Sequence, residues 1–161
     1  ILVPLMRETH FYLIHRLIHC APLYKWVHYL HHNNVDPGPV SGLAMHPLEH
    51  LLYWSGVLIH WVIPSHPIHA LFHTQHAAIT PAQGHAGFDR IVLLEGIHVK
   101  TGDYFHYLHH KYFECNYGGD GPVNLDRAFG TFHNGSEEAG RLMNERFMAR
   151  AAQQVKREDQ S

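Results

Sequence analysis

Apolar residues recur every three or four positions along most of this chain, a spacing that predicts helices. A first helix is expected from Arg7 to about Cys20. Pro22 stops it and suits the first turn of the next helix, which carries Tyr24 to His32. Asn33 to Gly42 is a loop by its turn residues. Leu43 to Ile63 follows as an apolar run of about 20 residues, the length that crosses a bilayer core. It fits either a buried core helix or a span whose polar side (His46, Glu49, His50, His60) faces the protein interior. Pro64 and Pro67 punctuate a turn, and His66 to Ile79 makes a second, shorter apolar segment. Thr80 to Gly87 reads as a loop, Ile91 to His98 and Tyr104 to Phe113 as helices, and Glu114 to Thr131 as irregular, with Gly118, Gly119, Gly121 and Pro122. The tail from Glu137 is expected as a solvated helix of mixed charge. Residues 1–135 thus read as one domain and 136–161 as its tail, with no sheet anywhere.

Charge sharpens the choice for the apolar run. Between Trp26 and Asp89 there is no Lys or Arg, and every basic residue lies outside that window. The excess of positive charge on the cytoplasmic side of membrane proteins puts both flanks in the cytosol. An out-and-back hairpin between residues 43 and 80 is therefore expected, with the rest as a cytosolic cap. Charged residues make up 16% of the 161, against about 25% in typical soluble proteins. The 19 histidines hold mean hydropathy down to −0.23. A net charge of −2 offers no basic field for nucleic acid. Cys20 and Cys115 are too few for a disulfide scaffold or a cysteine-rich zinc site. The chain opens Ile1-Leu-Val-Pro4 without Met or a signal peptide, and reads as a fragment lacking an N-terminal part.

The candidate chemistry lies in three histidine clusters: His15 and His19; His28, His31 and His32; and His106, His109 and His110. Residues three and four apart share a helix face, so each cluster projects together. One zinc takes about four ligands, so eight imidazoles point to two metals. Nitrogen ligands of this kind suit Fe, Zn, Cu or Ni. The other histidines mostly lack a partner at ligand spacing and are expected to satisfy local hydrogen bonds, His73 and His76 included. Trp26, Trp54 and Trp61 fit an interfacial aromatic belt or core packing.

The chain resembles the fatty acid hydroxylase superfamily, in its sterol desaturase branch, over about residues 8 to 132. The resemblance rests on His15-Arg-Leu-Ile-His19, then Pro22-Leu-Tyr24 leading into His28-Tyr-Leu-His-His32, and then His46-Pro-Leu-Glu49. It continues in His85-Ala-Gly-Phe-Asp89, His106-Tyr-Leu-His-His110, Asn116-Tyr-Gly118 and Asp126-Arg-Ala-Phe-Gly-Thr131. It implies an all-α, membrane-embedded helical bundle with a cytosolic, histidine-rich di-metal cap. It implies two iron ions, with zinc able to take their place on purification, and O2 and an external electron donor. The donor would be a cytochrome b5-like or ferredoxin-like protein with its reductase, and the substrate a lipid that is hydroxylated or desaturated. The membrane would be a bacterial inner membrane or the endoplasmic reticulum. The resemblance also implies His85 as a ninth ligand. His10 stands five residues before His15, the spacing of the fatty-acid 2-hydroxylase branch, where Asp89 would be a second histidine.

Ligating histidines need acceptors on their other ring nitrogen, and His46, Glu49, Asp89 and Asp126 are the candidates, with a helix cap as the other reading of Asp126. Two other functions compete. A zinc-dependent hydrolase needs an open zinc site and a general base, and no HExxH occurs. A non-catalytic metal-binding protein more often carries histidines in low-complexity tracts.

Overall fold

A computed structural model describes residues 2–100, 104–119 and 123–158. Ile1, Gly121 and Pro122, to which the sequence assigns roles, lie outside the described residues. The chain is mostly helical. Helix α1, Leu2–Ile18, is followed by α2, Ala21–Leu23, a π-helical turn over Tyr24–His28, and α3, Tyr29–His32. Pro22 opens α2 within its first turn, as expected. A 3-10 turn over Pro39–Leu43 precedes α4, Pro47–Trp54. A second 3-10 turn, Ser55–Leu58, joins it to α5, Ile59–Val62.

The expected single span from Leu43 to Ile63 is therefore three short pieces, α4, a 3-10 turn and α5. Two local causes are visible. His46 caps α4, its Nδ1 accepting from the Leu48 amide at 3.2 Å, and Pro47 sits in the first turn, where its missing amide hydrogen costs no helix bond. At Gly56 the backbone presses against α1: a Cβ there would stand 2.9 Å from Nδ1 of His10. Among the described residues no helix is long and apolar enough to cross a membrane.

Helix α6, Pro67–Gly84, begins on a His66 cap and runs on through Pro81, so the loop expected from Thr80 starts later. The 3-10 turn of Pro39–Leu43 lies against it. A Cβ on Gly42 would meet the Pro81 backbone at 2.5 Å, so only glycine allows this approach.

The fold class needs one correction. Ile91 to His98 is not a helix. Strands β1, Arg90–Leu94, and β2, Ile97–Lys100, pair antiparallel with Arg90 opposite Lys100 and Leu94 opposite Ile97. Glu95-Gly96 is the turn, with Gly96 at φ 76°. Ile91, Val92, Ile97 and Val99 are β-branched, and a two-residue turn ending in glycine is a strong hairpin signal. The unbroken apolar run 91–94 hides the alternation that would have announced a strand.

Helix α7, Tyr104–Tyr112, leads through the 113–119 segment to α8, Leu125–Ala128, and the long α9, Glu137–Glu158. Leu108, Tyr112 and Cys115 pack with Met143 of α9 in the one apolar cluster of fully buried residues that the described residues contain, with Phe147 against it. An ion pair between Arg150 and Glu114 ties α9 to the same region.

Candidate metal centre

Nine histidines form two groups, and within each the available ring nitrogens lie within 4.8 Å of one another. The first group is His15, His19, His28, His32 and His109. The second is His31, His85, His106 and His110. The grouping cuts across the sequence clusters. His28 and His32 serve the first group while His31 serves the second. In α7 the pattern inverts, with His106 and His110 in the second group and His109 in the first. Helix geometry explains the split. Positions i and i+4 differ by only about 40° around the axis, whereas i+3 and i+4 are about 100° apart. Each HxxHH motif thus faces two centres at once. The π-helical turn ending at His28 widens the helix just before it, a distortion that recurs at functional sites.

Hydrogen bonding fixes the tautomers. Nδ1 of His15 donates to the Tyr117 carbonyl at 2.5 Å, and that of His109 to the Cys115 carbonyl at 2.6 Å. Nδ1 of His85 donates to the Pro81 carbonyl at 2.8 Å, and that of His31 to the Ala44 carbonyl at 3.3 Å. Nδ1 of His28 lies 2.7 Å from a carboxylate oxygen of the buried Glu49. A carbonyl only accepts, so Nδ1 of His15, His31, His85 and His109 carries the proton, and the Nε2 of a neutral ring is then bare. Burial raises the Glu49 carboxyl to about 8, so at neutral pH it can donate to His28 as well as accept from it.

Those nitrogens face the Nε2 atoms of other rings. Nε2 of His15 is 3.1 Å from that of His28, and Nε2 of His109 is 3.1 Å from that of His32. In the second group, Nε2 of His110 is 2.9 Å from that of His85 and 3.1 Å from that of His31. Facing lone pairs repel unless a cation lies between them. A proton is a poor candidate, because burial disfavours imidazolium. It lowers the pKa of His15 to about 4, of His31 to about 3, of His85 to about 4 and of His110 to about 2. His106 and His109 are held well below the ordinary value, again chiefly by burial. Nitrogens about 2.0–2.1 Å from one ion and at right angles stand about 3 Å apart, the spacing present here. The donor set therefore fits two metal ions held by neutral imidazoles.

The four candidate supporting residues are placed differently. Glu49, in the first turn of α4, reaches His28 directly. Asp126 acts at one remove. It accepts from the amides of Tyr117 at 3.0 Å and Gly118 at 2.7 Å, and from the Thr131 hydroxyl at 2.5 Å. It thereby fixes the segment whose carbonyls orient His15 and His109. Within that segment Asn116 takes the left-handed conformation, φ 51°, and its side chain bridges to both backbone groups of His133. His46 is a helix cap, and Asp89 is exposed and ion-paired with Arg90 at 2.7 Å, so neither is brought to the histidines by these contacts. His10 bonds Ser55 at 2.9 Å. His73 is 3.2 Å from His60, and His133 stacks on Tyr112 with ring centroids 4.7 Å apart. The sequence carried no residue-type signal for the acceptors at Ala44, Pro81, Cys115 and Tyr117, because main-chain carbonyls do the work there. Only the position of Asn116-Tyr117-Gly118 soon after the last cluster pointed that way.

A cavity of about 330 Å³ borders both groups, touching His15 and His28 of the first and His31, His85 and His106 of the second. Phe11, Ile14, Ile18 and Met45 give it an apolar wall.

The sequence model of the fatty acid hydroxylase family matches residues 1–131. Methylsterol monooxygenase 1 of Gallus gallus is 32% identical over 124 residues, covering 74% of this chain and 41% of its own length. Its Danio rerio counterpart is 30% identical over 117 residues, covering 70% of this chain and 40% of its own. A Delta(7)-sterol 5(6)-desaturase of Aspergillus fumigatus is 30% identical over 132 residues, covering 79% and 35%. The chain thus spans about two fifths of the length of the curated relatives it matches. No solved structure matches it. The chain belongs to the fatty acid hydroxylase family.

Proposed function

We propose that this member of the fatty acid hydroxylase family is part of a membrane-bound di-iron oxygenase that hydroxylates or desaturates a lipid. The observation that supports this most is the convergence of ring Nε2 atoms to about 3 Å of one another in both groups. His15, His19, His28, His32 and His109 would hold one iron, and His31, His85, His106 and His110 the other. Iron bound there would supply the O2 activation and one-electron chemistry that unactivated C–H bonds demand. The chain's own residues do the rest. The carbonyls of Tyr117 and Cys115 lock ring orientation and keep Nε2 unprotonated. Glu49 meets Nδ1 of His28 and orients that ring from behind, its own carboxyl raised by burial to about 8. Phe11, Ile14 and Ile18 exclude water beside the histidines and align a hydrocarbon along α1.

The relatives named as acting on sterols support a lipid substrate, and the membrane reading has support of its own. Trp61, Val62 and Ile63 in the α5–α6 corner, with Leu71 and Phe72 just beyond it, are all exposed, in a stretch without Lys or Arg. Electrons would come from a cytochrome b5-like or ferredoxin-like protein and its reductase on the cytosolic side.

The test is metal analysis of the protein purified from its own membrane, followed by O2 uptake and lipid profiling with a reductase. Two irons per chain and an O2-dependent hydroxylated or unsaturated lipid are expected. Zinc alone with hydrolysed lipid would refute the oxygenase reading.

A further inference from the structure

The hairpin of β1 and β2 is bare. Every residue from Phe88 to Val99 is exposed, although Ile91, Val92, Leu93, Leu94, Ile97 and Val99 are apolar. The register sorts these side chains. Ile91 stands opposite Val99, Val92 opposite His98 and Leu94 opposite Ile97. Directly opposed residues share a face of a sheet, and so do residues two apart along a strand. Ile97 and Val99 therefore share their face with both Leu94 and Ile91. A regular strand would put Ile91 and Leu94, three apart, on opposite faces. The register shift between Val92 and Leu94 brings them together, as a bulge does. One face thus consists of four aliphatic side chains, each more than half exposed. The other carries Val92 and His98.

A bare aliphatic face gains free energy from any apolar cover. Its size narrows the choice of cover. Five residues on two strands offer on the order of 200 Å², against the ~800 Å² that each partner gives up in a stable protein complex. A second copy or a folded partner would need far more surface than the hairpin presents. A bilayer needs no matching surface. The charges of the segment, Asp89, Arg90, Glu95 and Lys100, sum to zero, and Asp89 and Arg90 pair at 2.7 Å. Attachment would then come from apolar burial, with no excess of basic residues to select anionic lipid. Glu95 stands in the turn, and an ionised carboxylate is too costly to sink into hydrocarbon. The turn stays among the headgroups, so the hairpin lies along the surface instead of entering tip first.

We propose that the 90–100 hairpin is a lipid-docking element, lying flat on a neutral bilayer surface with Ile91, Leu94, Ile97 and Val99 at the boundary of headgroups and acyl chains. The inference deepens the reading of this protein as membrane-bound and rests on it. The hairpin is well placed to matter. His85 stands five residues before it and His106 six after it. Both belong to the second histidine group, and both line the 330 Å³ cavity. Docking would hold the chain against lipid on either side of that group.

The experiment uses the full metal-loaded protein in phosphatidylcholine vesicles. Single cysteines carrying a nitroxide label are placed by Leu94→Cys and Ile97→Cys on one face and by Val92→Cys and His98→Cys on the other. Cys20, which is exposed, is removed by Cys20→Ser. Collision of each label with O2, which concentrates in lipid, is compared with collision with a water-soluble nickel complex. The O2-to-nickel ratio is expected to be about fivefold higher at positions 94 and 97 than at 92 and 98, the pattern of a flat amphipathic element. Equal ratios on the two faces overturn the proposal. So do labels at 94 and 97 shielded from both reagents, which would mean a protein cover. A difference that appears only after phosphatidylserine is added also overturns it. Lipid oxidation measured on the same vesicles separates the two readings. Oxidation with a water-exposed hairpin removes the docking element and keeps the oxygenase, whereas a lipid-facing hairpin without oxidation does the reverse.

Discussion

The interior around α1 and the outer surface at the α5–α6 corner have exchanged the chemistry usual for each. Inside, the largest fully buried side chains are His15, His28, His85, His109, Asn116 and Asp126, every one polar. Outside, Trp61 is 85% exposed and Val62 76% exposed. Globular proteins generally do the opposite, burying Ile, Leu, Val and Phe and exposing charge. The contrast separates two sources of order. The interior is organised by directed hydrogen bonds and, in the proposed holoprotein, by metal–nitrogen bonds. The corner gains nothing from water and everything from an apolar surround. In the proposed holoprotein one half would be held by ions and the other by lipid, so each can be perturbed alone.

Removing the metal should have the largest effect. Structural metal binding can be worth about 10–16 kcal/mol of folding free energy, and without a cation the facing nitrogens repel. Chelation should therefore lower the thermal midpoint followed by circular dichroism by more than any point substitution does. An unchanged midpoint would show that the polar interior stands without ions.

Next comes His109→Ala. His109 has no exposed surface and is close to both His19 and His32. The variant is expected to keep at most half the bound metal and to lose activity. His133→Ala, removing a ring stacked on Tyr112 outside both groups, should keep both. Full metal content in His109→Ala, measured by elemental analysis, would contradict the grouping.

Acid should act more gradually, and the sign follows from burial. His15, His31 and His85 have folded pKa values depressed to about 4, 3 and 4, against about 6.5 in an unfolded chain. The unfolded state therefore binds more protons between those values. The stability of the metal-free protein should be full above pH ~6.5 and fall steadily toward pH ~4. Denaturant midpoints measured at half-unit steps would check this, and a midpoint flat across that window would refute it.

The smallest effect belongs to the outer surface. Trp61→Ser should weaken partitioning into neutral lipid vesicles by roughly tenfold, on the scale of burying one large apolar side chain. Metal content should not change. Loss of metal in this variant would mean that the two regions are coupled.

Much of this arrangement was legible in the residues. The helices carrying the clusters and the tail helix follow from periodicity and proline placement, whereas Glu49 is one of four candidate acceptors in the sequence, of which His46 and Asp89 lie elsewhere. Less legible was how each cluster divides, because a shared face spans about 100° and two centres fit within it. The acceptors at Cys115 and Tyr117 were hidden because every residue has a carbonyl. The hairpin was missed where its apolar residues run together, although Gly96 and the β-branched residues were there to be read. The continuous 43–63 run was over-read, since hydropathy averages over the 3-10 turn that Gly56 permits.

The division of each HxxHH motif between two centres has a consequence for descent. Because α3 and α7 each contribute to both groups, a shift of either helix disturbs both, while replacing one histidine removes a ligand from one group only. A lineage could therefore lose one group by point substitution and keep the ligands of the other on the same two helices. A single-ion ancestor built on the same two motifs would have carried histidines with nothing to hold.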